Sequence, residues 1–314
     1  MKIRENHSLQ TLLALLLGAV FLGPVRAQES YIIFDNQTGQ ILESVKPKEK
    51  LQVASLTKIA TCMVVLDWAN LQKVDLSIAV PLTNAAFSNG ASSSAGLQPG
   101  DSVSLRDLMY CALLASDNVA ANALADHVGS RIPNTNGLDP IGNFVAQMNA
   151  LARSLFMKRT LFLNPSGMDN LPKGQALPYS TAEDFARLTR HAYNDAAFKF
   201  YVAQNSRVIH LFRNGLDNPI EIKNTNELLG QDNIDGVKTG RTRRAGDCLI
   251  VSADRAPEAH REGETVMVTP RRISVVLLGS PDRFRDGLQL LRRGWAIYDS
   301  WASEGRPTQK GSTL

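Results

Sequence analysis

The segment Ser55-Leu-Thr-Lys58-Ile-Ala-Thr-Cys62-Met-Val-Val-Leu-Asp-Trp-Ala69 holds no glycine or proline and reads as a helix that begins at the serine. On a helix, positions i and i+3 share a face, so the Lys58 amine can reach the Ser55 hydroxyl. A serine on the first turn also has unpaired backbone N–H groups beside it, where an oxyanion can be stabilised. The hydroxyl is a weak nucleophile until a base takes its proton. Lys58 can be that base only when neutral, so its pKa must fall well below the ~10.4 of a free lysine. Burial and a second cation nearby both push it down.

Upstream of this helix, Tyr31-Ile-Ile-Phe34, a turn at Asp35-Asn-Gln-Thr-Gly39 and Gln40-Ile-Leu-Glu-Ser44 read as a β-hairpin. Downstream, Ser88-Asn-Gly-Ala-Ser-Ser-Ser94 is polar and small, as an exposed loop is. From about Leu105 to Tyr201 the spacing is helical, with apolar faces at Leu108, Cys111 and Ala112, at Phe144, Met148, Leu151 and Leu155, and at Phe185, Leu188 and Tyr193. After about Asn214 the chain turns β-like. Cys248–Ser252, Thr265–Val268 and Ile273–Leu278 are strand candidates rich in branched residues. A last helix, Asp282 to Trp301, carries Phe284, Leu288, Leu291, Trp295 and Tyr298 on one side, and residues 303–314 read as a flexible tail. This order predicts an α/β chain whose sheet draws on both ends, with a helical subdomain at about 80–205 inserted between them.

The 314 residues are 44% hydrophobic and 20% charged, ordinary for a globular enzyme with a buried core. The one long apolar run is N-terminal. Lys2 and Arg4 precede a Leu-rich stretch from Leu12 to about Val25, and Val25-Arg26-Ala27 gives a small-x-small site, the layout of a secretory signal peptide spanning residues 1–27. Export to the periplasm or the extracellular cell-wall space follows, with no stable membrane anchor after cleavage. Removing that leader leaves 31 basic and 29 acidic side chains, a net charge of +2, which gives no reason to invoke nucleic acid. Cys62, Cys111 and Cys248 are widely spaced and read as buried small apolar residues rather than a disulfide framework. Five scattered histidines and no HExxH leave nothing that calls for a metal or another cofactor.

Two further motifs follow the first. Ser116-Asp-Asn118 comes next and Lys238-Thr-Gly240 last, at domain-scale separations. Singly, each has a bland explanation: a helix cap, a turn, a hairpin edge. Together and in this order they form the set found in penicillin-binding proteins and class A β-lactamases. The chain resembles a low-molecular-mass penicillin-binding protein of the D-alanyl-D-alanine carboxypeptidase and endopeptidase family. Phe144–Asn149, Asn164-Pro-Ser-Gly-Met-Asp169, Tyr179–Asp184, Asn224-Thr-Asn226 and Ile234–Gly240 look like that family's intervening segments, so the likeness covers roughly residues 30–300.

The resemblance implies a β-lactamase/transpeptidase-like fold: an antiparallel sheet flanked by helices, with an inserted all-helical subdomain and a catalytic domain over residues 28–302. It implies peptidoglycan stem peptides as substrates and β-lactams as covalent inhibitors. Ser55 would form the acyl-enzyme with Lys58 as general base, Ser116 would relay a proton, and Asn118 would hold the substrate amide. Lys238 and Thr239 would steer the terminal carboxylate region, with Lys238 the cation beside Lys58. The backbone N–H groups of Ser55 and of Arg241, after Gly240, would form the oxyanion hole. An arginine entering the next-to-last strand binds the carboxylate in similar enzymes; Arg271 fits best, with Arg272 the alternative, since strand alternation lets only one face the cleft.

Two departures stand out. Arg241 opens a basic run, Arg241-Thr-Arg-Arg244, where other side chains occur in some relatives. Only 74 residues follow Gly240, which leaves no room for the C-terminal domain and amphipathic anchor of some carboxypeptidases. That leans towards an endopeptidase or a dual activity. Arg283, Arg285, Arg292 and Arg293 on the last helix raise a membrane-surface role, against which packing on the sheet is the stronger reading. Two rival functions remain. A β-lactamase would need a deacylating glutamate, yet none of Glu183, Glu221 and Glu227 begins an E-x-x-L-N segment. A non-catalytic peptidoglycan-binding or β-lactam-sensing protein would not need the complete motif set.

Overall fold

A computed structural model describes residues 29–135, 137–169, 174–262, 265–308 and 311–314. The leader expected at residues 1–27 lies outside the described residues. The chain begins with a hairpin, β1 (Ser30–Asp35) and β2 (Ile41–Val45), and then a 3-10 turn at Ala54–Thr57 that leads into α1 (Lys58–Gln72). There follow β3 (Ala79–Pro81), β4 (Ser102–Ser104), α2 (Leu105–Leu113), α3 (Asn118–Gly129), α4 (Pro140–Ser154), α5 (Ala182–Ala192) and α6 (Ala196–Val202). The C-terminal part holds β5 (Ser206–Arg213), β6 (Leu216–Lys223), β7 (Ile234–Thr242), β8 (Gly246–Glu262), β9 (Thr265–Ser280) and α7 (Arg283–Ser303).

The main sheet has the order β2-β1-β9-β8-β7 and every pairing is antiparallel. It is built from both chain ends, as the element order predicted. Strand alternation splits its side chains between two apolar layers. Ile32, Phe34, Ile250, Val276 and Leu278 face the helices of the inserted part, while Ile33, Leu249, Val251, Val275 and Leu277 face α7. α1 is buried on almost every side, which is why its sequence is apolar throughout rather than striped. Each helix of the insert begins at a polar cap: Ser104, Asp117, Asp139, Thr181 and Asp195 each accept a backbone N–H of the first turn.

α7 lies close against the sheet because glycines line its contact. A Cβ on Gly294 would fall 2.6 Å from Ile33 Cγ2, and one on Gly287 would fall 2.4 Å from Leu249 Cδ2. Leu291, Trp295, Tyr298 and Trp301 fill the rest of that layer. Its basic side chains are engaged on the protein: Arg292 with Asp232, Arg293 with Glu43, and Arg285 with Asp286. Among the described residues, no helix is long and apolar enough to cross a membrane.

Four details differ from the sequence reading. The helix expected to begin at Ser55 begins at Lys58, with Ser55 in the 3-10 turn before it. A second sheet, β3-β4-β5-β6, joins the inserted helices; β3 and β4 have three residues each, too few to show an alternation. Thr265–Val268 and Ile273–Leu278 are not separate strands but the two ends of β9, continuous through Pro270. The tail expected to be flexible is tied down at its end. Ile41 N–H donates to the Ser312 carbonyl, Leu314 N–H donates to Gly39, and Leu314 packs against the core. The three cysteines are free and buried, as read.

Candidate active site

Ser55 sits in the 3-10 turn just ahead of α1, one residue after Ala54 in the left-handed region at φ 49°. The turn is clamped from two sides by glycines. Gly167, at φ +81°, comes so close that a Cβ there would fall 1.9 Å from the Ala54 carbonyl oxygen. Gly240 of β7 lies opposite, where a Cβ would be 3.1 Å from the Ser55 nitrogen. Lys238-Thr-Gly240 is therefore pressed along the Ser55 turn, and its last residue is a glycine because a side chain would hold the strand away.

Lys58 is wholly buried. Its Nζ lies 2.9 Å from Ser55 Oγ, 2.8 Å from Asn118 Oδ1 and 2.8 Å from the Ser166 carbonyl oxygen. Two of these partners are carbonyl oxygens, which only accept. A neutral amine has two hydrogens and one lone pair. The two hydrogens satisfy Asn118 and Ser166, and the lone pair is left facing the Ser55 hydroxyl. Burial pulls the Lys58 pKa down to about 7, partly offset by the negative charge of Asp117. The proton-accepting form is thus well populated at neutral pH.

Lys238 is also buried, with Nζ 3.1 Å from the Thr239 carbonyl. Burial lowers its pKa well below the usual range, and the charges of Lys58 and then Arg283 lower it further. Of the two causes expected to depress Lys58, burial is the leading one, and the Lys58 charge in turn lowers Lys238. The Thr239 hydroxyl is 2.6 Å from that of Thr225, whose backbone N–H donates to Leu114, so the Asn224-Thr-Asn226 segment supports β7 from behind. Asn226 Nδ2 adds a bond to the Gly236 carbonyl.

Ser116 lies between α2 and α3 at φ 58°, another non-glycine residue in the left-handed region. Next to it Asp117, 1% exposed, caps α3 through Ala120 N–H. The same carboxylate accepts from Ser93 Oγ at 2.6 Å and from Ala95 N–H at 2.9 Å, pinning the serine-rich loop against this turn. Arg241 is exposed and its side chain turns to Asp247 at 3.3 Å. Thr242 donates to Asp169 at 2.5 Å, tying the Asn164–Asp169 loop to the end of β7.

Arg271 does not face the cleft. It pairs with Glu258 and Asp299 on the α7 side of the sheet. Arg272 points to the other face but binds Asp235 and stacks on Tyr193. Strand alternation does set the two on opposite faces, but both sit at the end of the sheet away from Gly240. Gly240 pairs with Cys248 while Arg271 pairs with Arg255, seven residues further along β8, which is about 23 Å at the rise of a strand. In an antiparallel sheet the end of β9, not its start, lies beside Gly240.

Arg283 occupies that place, as the first residue of α7. Its Nη1 donates to the Gly240 carbonyl at 3.0 Å and lies 3.5 Å from Asp247. Sequence reasoning counted it only among the basic residues of α7. The available signal was Ser280-Pro-Asp282, a strand exit and a helix cap, which sets the next residue at the strand's end.

The sequence profile of the D-alanyl-D-alanine carboxypeptidase family, peptidase S11, matches residues 23–262. The chain belongs to this family. As an S11 member it is 33% identical over 281 residues to D-alanyl-D-alanine carboxypeptidase DacC of Escherichia coli, covering 86% of this chain and 62% of that protein. It is 30% identical to a D-alanyl-D-alanine endopeptidase of Pseudomonas aeruginosa, covering 74% and 69%. The crystal structure of the Streptomyces K15 DD-transpeptidase superposes with a TM-score of 0.71 at 28% identity, over 85% of this chain and 96% of that one. The fold is thus the β-lactamase/transpeptidase-like α/β fold. The chain spans 62% and 64% of the length of two of the carboxypeptidases it matches.

Proposed function

We propose that this S11 member hydrolyses D-alanyl peptide bonds in peptidoglycan stem peptides through an acyl-enzyme on Ser55. The observation that carries the reading is the hydrogen-bond set around Lys58 Nζ: two fixed acceptors and one hydroxyl, on a buried amine whose pKa is lowered to about 7. The Ser55 proton passes to Lys58 as Oγ bonds to the D-alanyl carbonyl carbon. The N–H groups of Ser55 and Arg241 stabilise the oxyanion. As the C–N bond breaks, Ser116 hands its proton to the leaving amine and takes in exchange the one held on Lys58, and the Asn118 amide N–H₂ group holds the substrate backbone. Water then attacks the ester carbonyl, giving one proton to Lys58, which passes it to Ser55 Oγ as the C–O bond breaks.

The leaving group is recognised by its carboxylate. Lys238 and Thr239 lie beside Gly240 on β7, and Arg283 donates to the Gly240 carbonyl; an anion entering there would favour the charged form of Lys238 that burial disfavours. A terminal D-alanine and the D-centre of a cross-linking diamino acid both carry a carboxylate on the carbon that bears the leaving amine. One site therefore serves carboxypeptidase and endopeptidase cleavage. A β-lactam acylates the same serine and is released slowly, since no carboxylate hydrogen-bonds to Ser55 or Lys58 among the described residues. Glu183 is engaged by Lys48 and Arg187.

The protein acts after export, in the periplasm or the cell-wall space, the leader at residues 1–27 having been removed. Chromatography of purified sacculi digested with the enzyme tests the activity. Loss of pentapeptides, of cross-linked dimers or of both is expected. Sacculi left unchanged by wild-type protein that is acylated by penicillin would overturn the substrate assignment.

A further inference from the structure

β8 and β9 run on beyond the sheet that holds them. The last residue of β9 paired with β1 is Ile273, and the last of β8 paired with β7 is Ala253. From Arg255↔Arg271 outward to Glu262↔Thr265, β8 and β9 pair with each other alone among the described residues. The result is a two-stranded arm reaching roughly 23 Å at 3.3 Å per residue, directed away from the Gly240 end. Its root is pinned by Arg255 and Arg271 to Asp299 and by Arg306 to Glu258. Past the root the side chains face water: Val266, Met267 and Val268 are 52%, 54% and 59% exposed.

A two-stranded ribbon standing alone in water is marginal. An apolar, uncharged strand edge is also what folded proteins usually cover or protect with charge. The outer strand here, Thr265-Val-Met-Val-Thr269, carries no charge and reads the same in both directions. Turned about a two-fold axis through Met267, it lies antiparallel to itself with Thr265 against Thr269, Val266 against Val268, and Met267 against Met267. Every pair in that register is β-favouring, and the contact is isologous, as closed dimers require. The β8 side of the arm, with Glu258 and Arg261, offers no such match.

We propose that this protein forms a two-fold dimer by antiparallel edge pairing of the β9 arms of two copies, centred on Met267. The cleft at the other end of the sheet stays open in both subunits.

Sedimentation velocity of the mature chain over a concentration series tests this, with Met267→Lys and Met267→Glu alone and mixed. The wild type is expected to pass from monomer to dimer as concentration rises. Either charged variant alone places like charges face to face at the axis and should dissociate at least tenfold more readily. The equimolar mixture should recover association, because only pairing of residue 267 with itself puts the two opposite charges together. The site is exposed, so thermal melts at concentrations where the wild type is monomeric should be unchanged. A wild type that stays monomeric, a dimer indifferent to either charge, or a mixture that fails to recover overturns the proposal. So does a monomeric wild type that sediments with phosphatidylglycerol vesicles and loses this in Met267→Lys, which would assign the arm to a lipid surface.

Discussion

If Lys58 takes the Ser55 proton, acylation follows the neutral fraction of one buried amine. With a pKa of about 7, half of the protein is competent at pH 7. At pH 5 about 1% is, so the second-order rate of acylation should rise roughly a hundredfold from pH 5 to a plateau near pH 8.5. Lys238 titrates in the same buried space, so the limb belongs to the pair, and its midpoint is a property of both lysines. The perturbation that isolates Lys58 is Lys58→Arg. A guanidinium keeps the charge and can still donate to Asn118 and Ser166, but it does not deprotonate in this range. Loss of general-base catalysis should cost about 10²- to 10⁴-fold. Stopped-flow acylation by a chromogenic β-lactam from pH 5 to 9 reads both effects. A flat wild-type profile, or near wild-type acylation by Lys58→Arg, would show that another group is the base.

Three further outcomes follow from the same geometry. Arg283→Gln removes the charge beside Gly240, and charge-assisted hydrogen bonds are worth ~1.5–3 kcal/mol, so kcat/KM for a peptide ending in a free D-alanine carboxylate should fall about 10- to 150-fold. The amidated peptide, already poor, should change little; equal losses on both would remove Arg283 from carboxylate recognition. Gly167→Ala drives a Cβ into the Ala54 carbonyl in a left-handed conformation, and overpacking of this kind costs about 1–3 kcal/mol. Its melting temperature should drop and its acylation should fall further than stability explains; full activity would mean that the loop is not part of the site. Lys58 binds its proton less tightly folded than unfolded, so between about pH 7 and 10.5 the unfolded chain holds more protons and stability rises with pH. Above about pH 9 the raised pKa values of Cys62 and Tyr31 act in the opposite sense. The melting temperature is therefore expected to climb from pH 7 to about 8.5, and a fall over that window would contradict the buried, deprotonating lysine.

The local chemistry of Ser55 and Lys58 was legible in the sequence because residues three apart share a face in a helical turn, and the 3-10 turn that carries Ser55 into α1 keeps that relation. The long-range part was legible only as co-occurrence: nothing local to Ser116-Asp-Asn118 or Lys238-Thr-Gly240 says that they meet, and the motif order stood in for the contact. Strand alternation told Arg271 from Arg272 but carries no information on which end of a sheet a residue occupies. That depends on the antiparallel register, and the register brings Arg283 to Gly240 instead. The Ser166 carbonyl that orients Lys58 left no trace in the sequence, since a main-chain acceptor belongs to every residue. Gly167 and Gly240 were visible as letters within motifs, but the 1.9 Å and 3.1 Å approaches that demand them appear only in the packed structure.

The central claim, an acyl-enzyme on Ser55 made by a deprotonated Lys58, is tested most directly by intact-mass spectrometry of the purified mature chain after incubation with benzylpenicillin at pH 8. The expected result is a gain of one penicillin mass, mapped to the peptide that contains Ser55 and absent in Ser55→Ala. No adduct on the wild type, or an adduct that persists in Ser55→Ala, contradicts it.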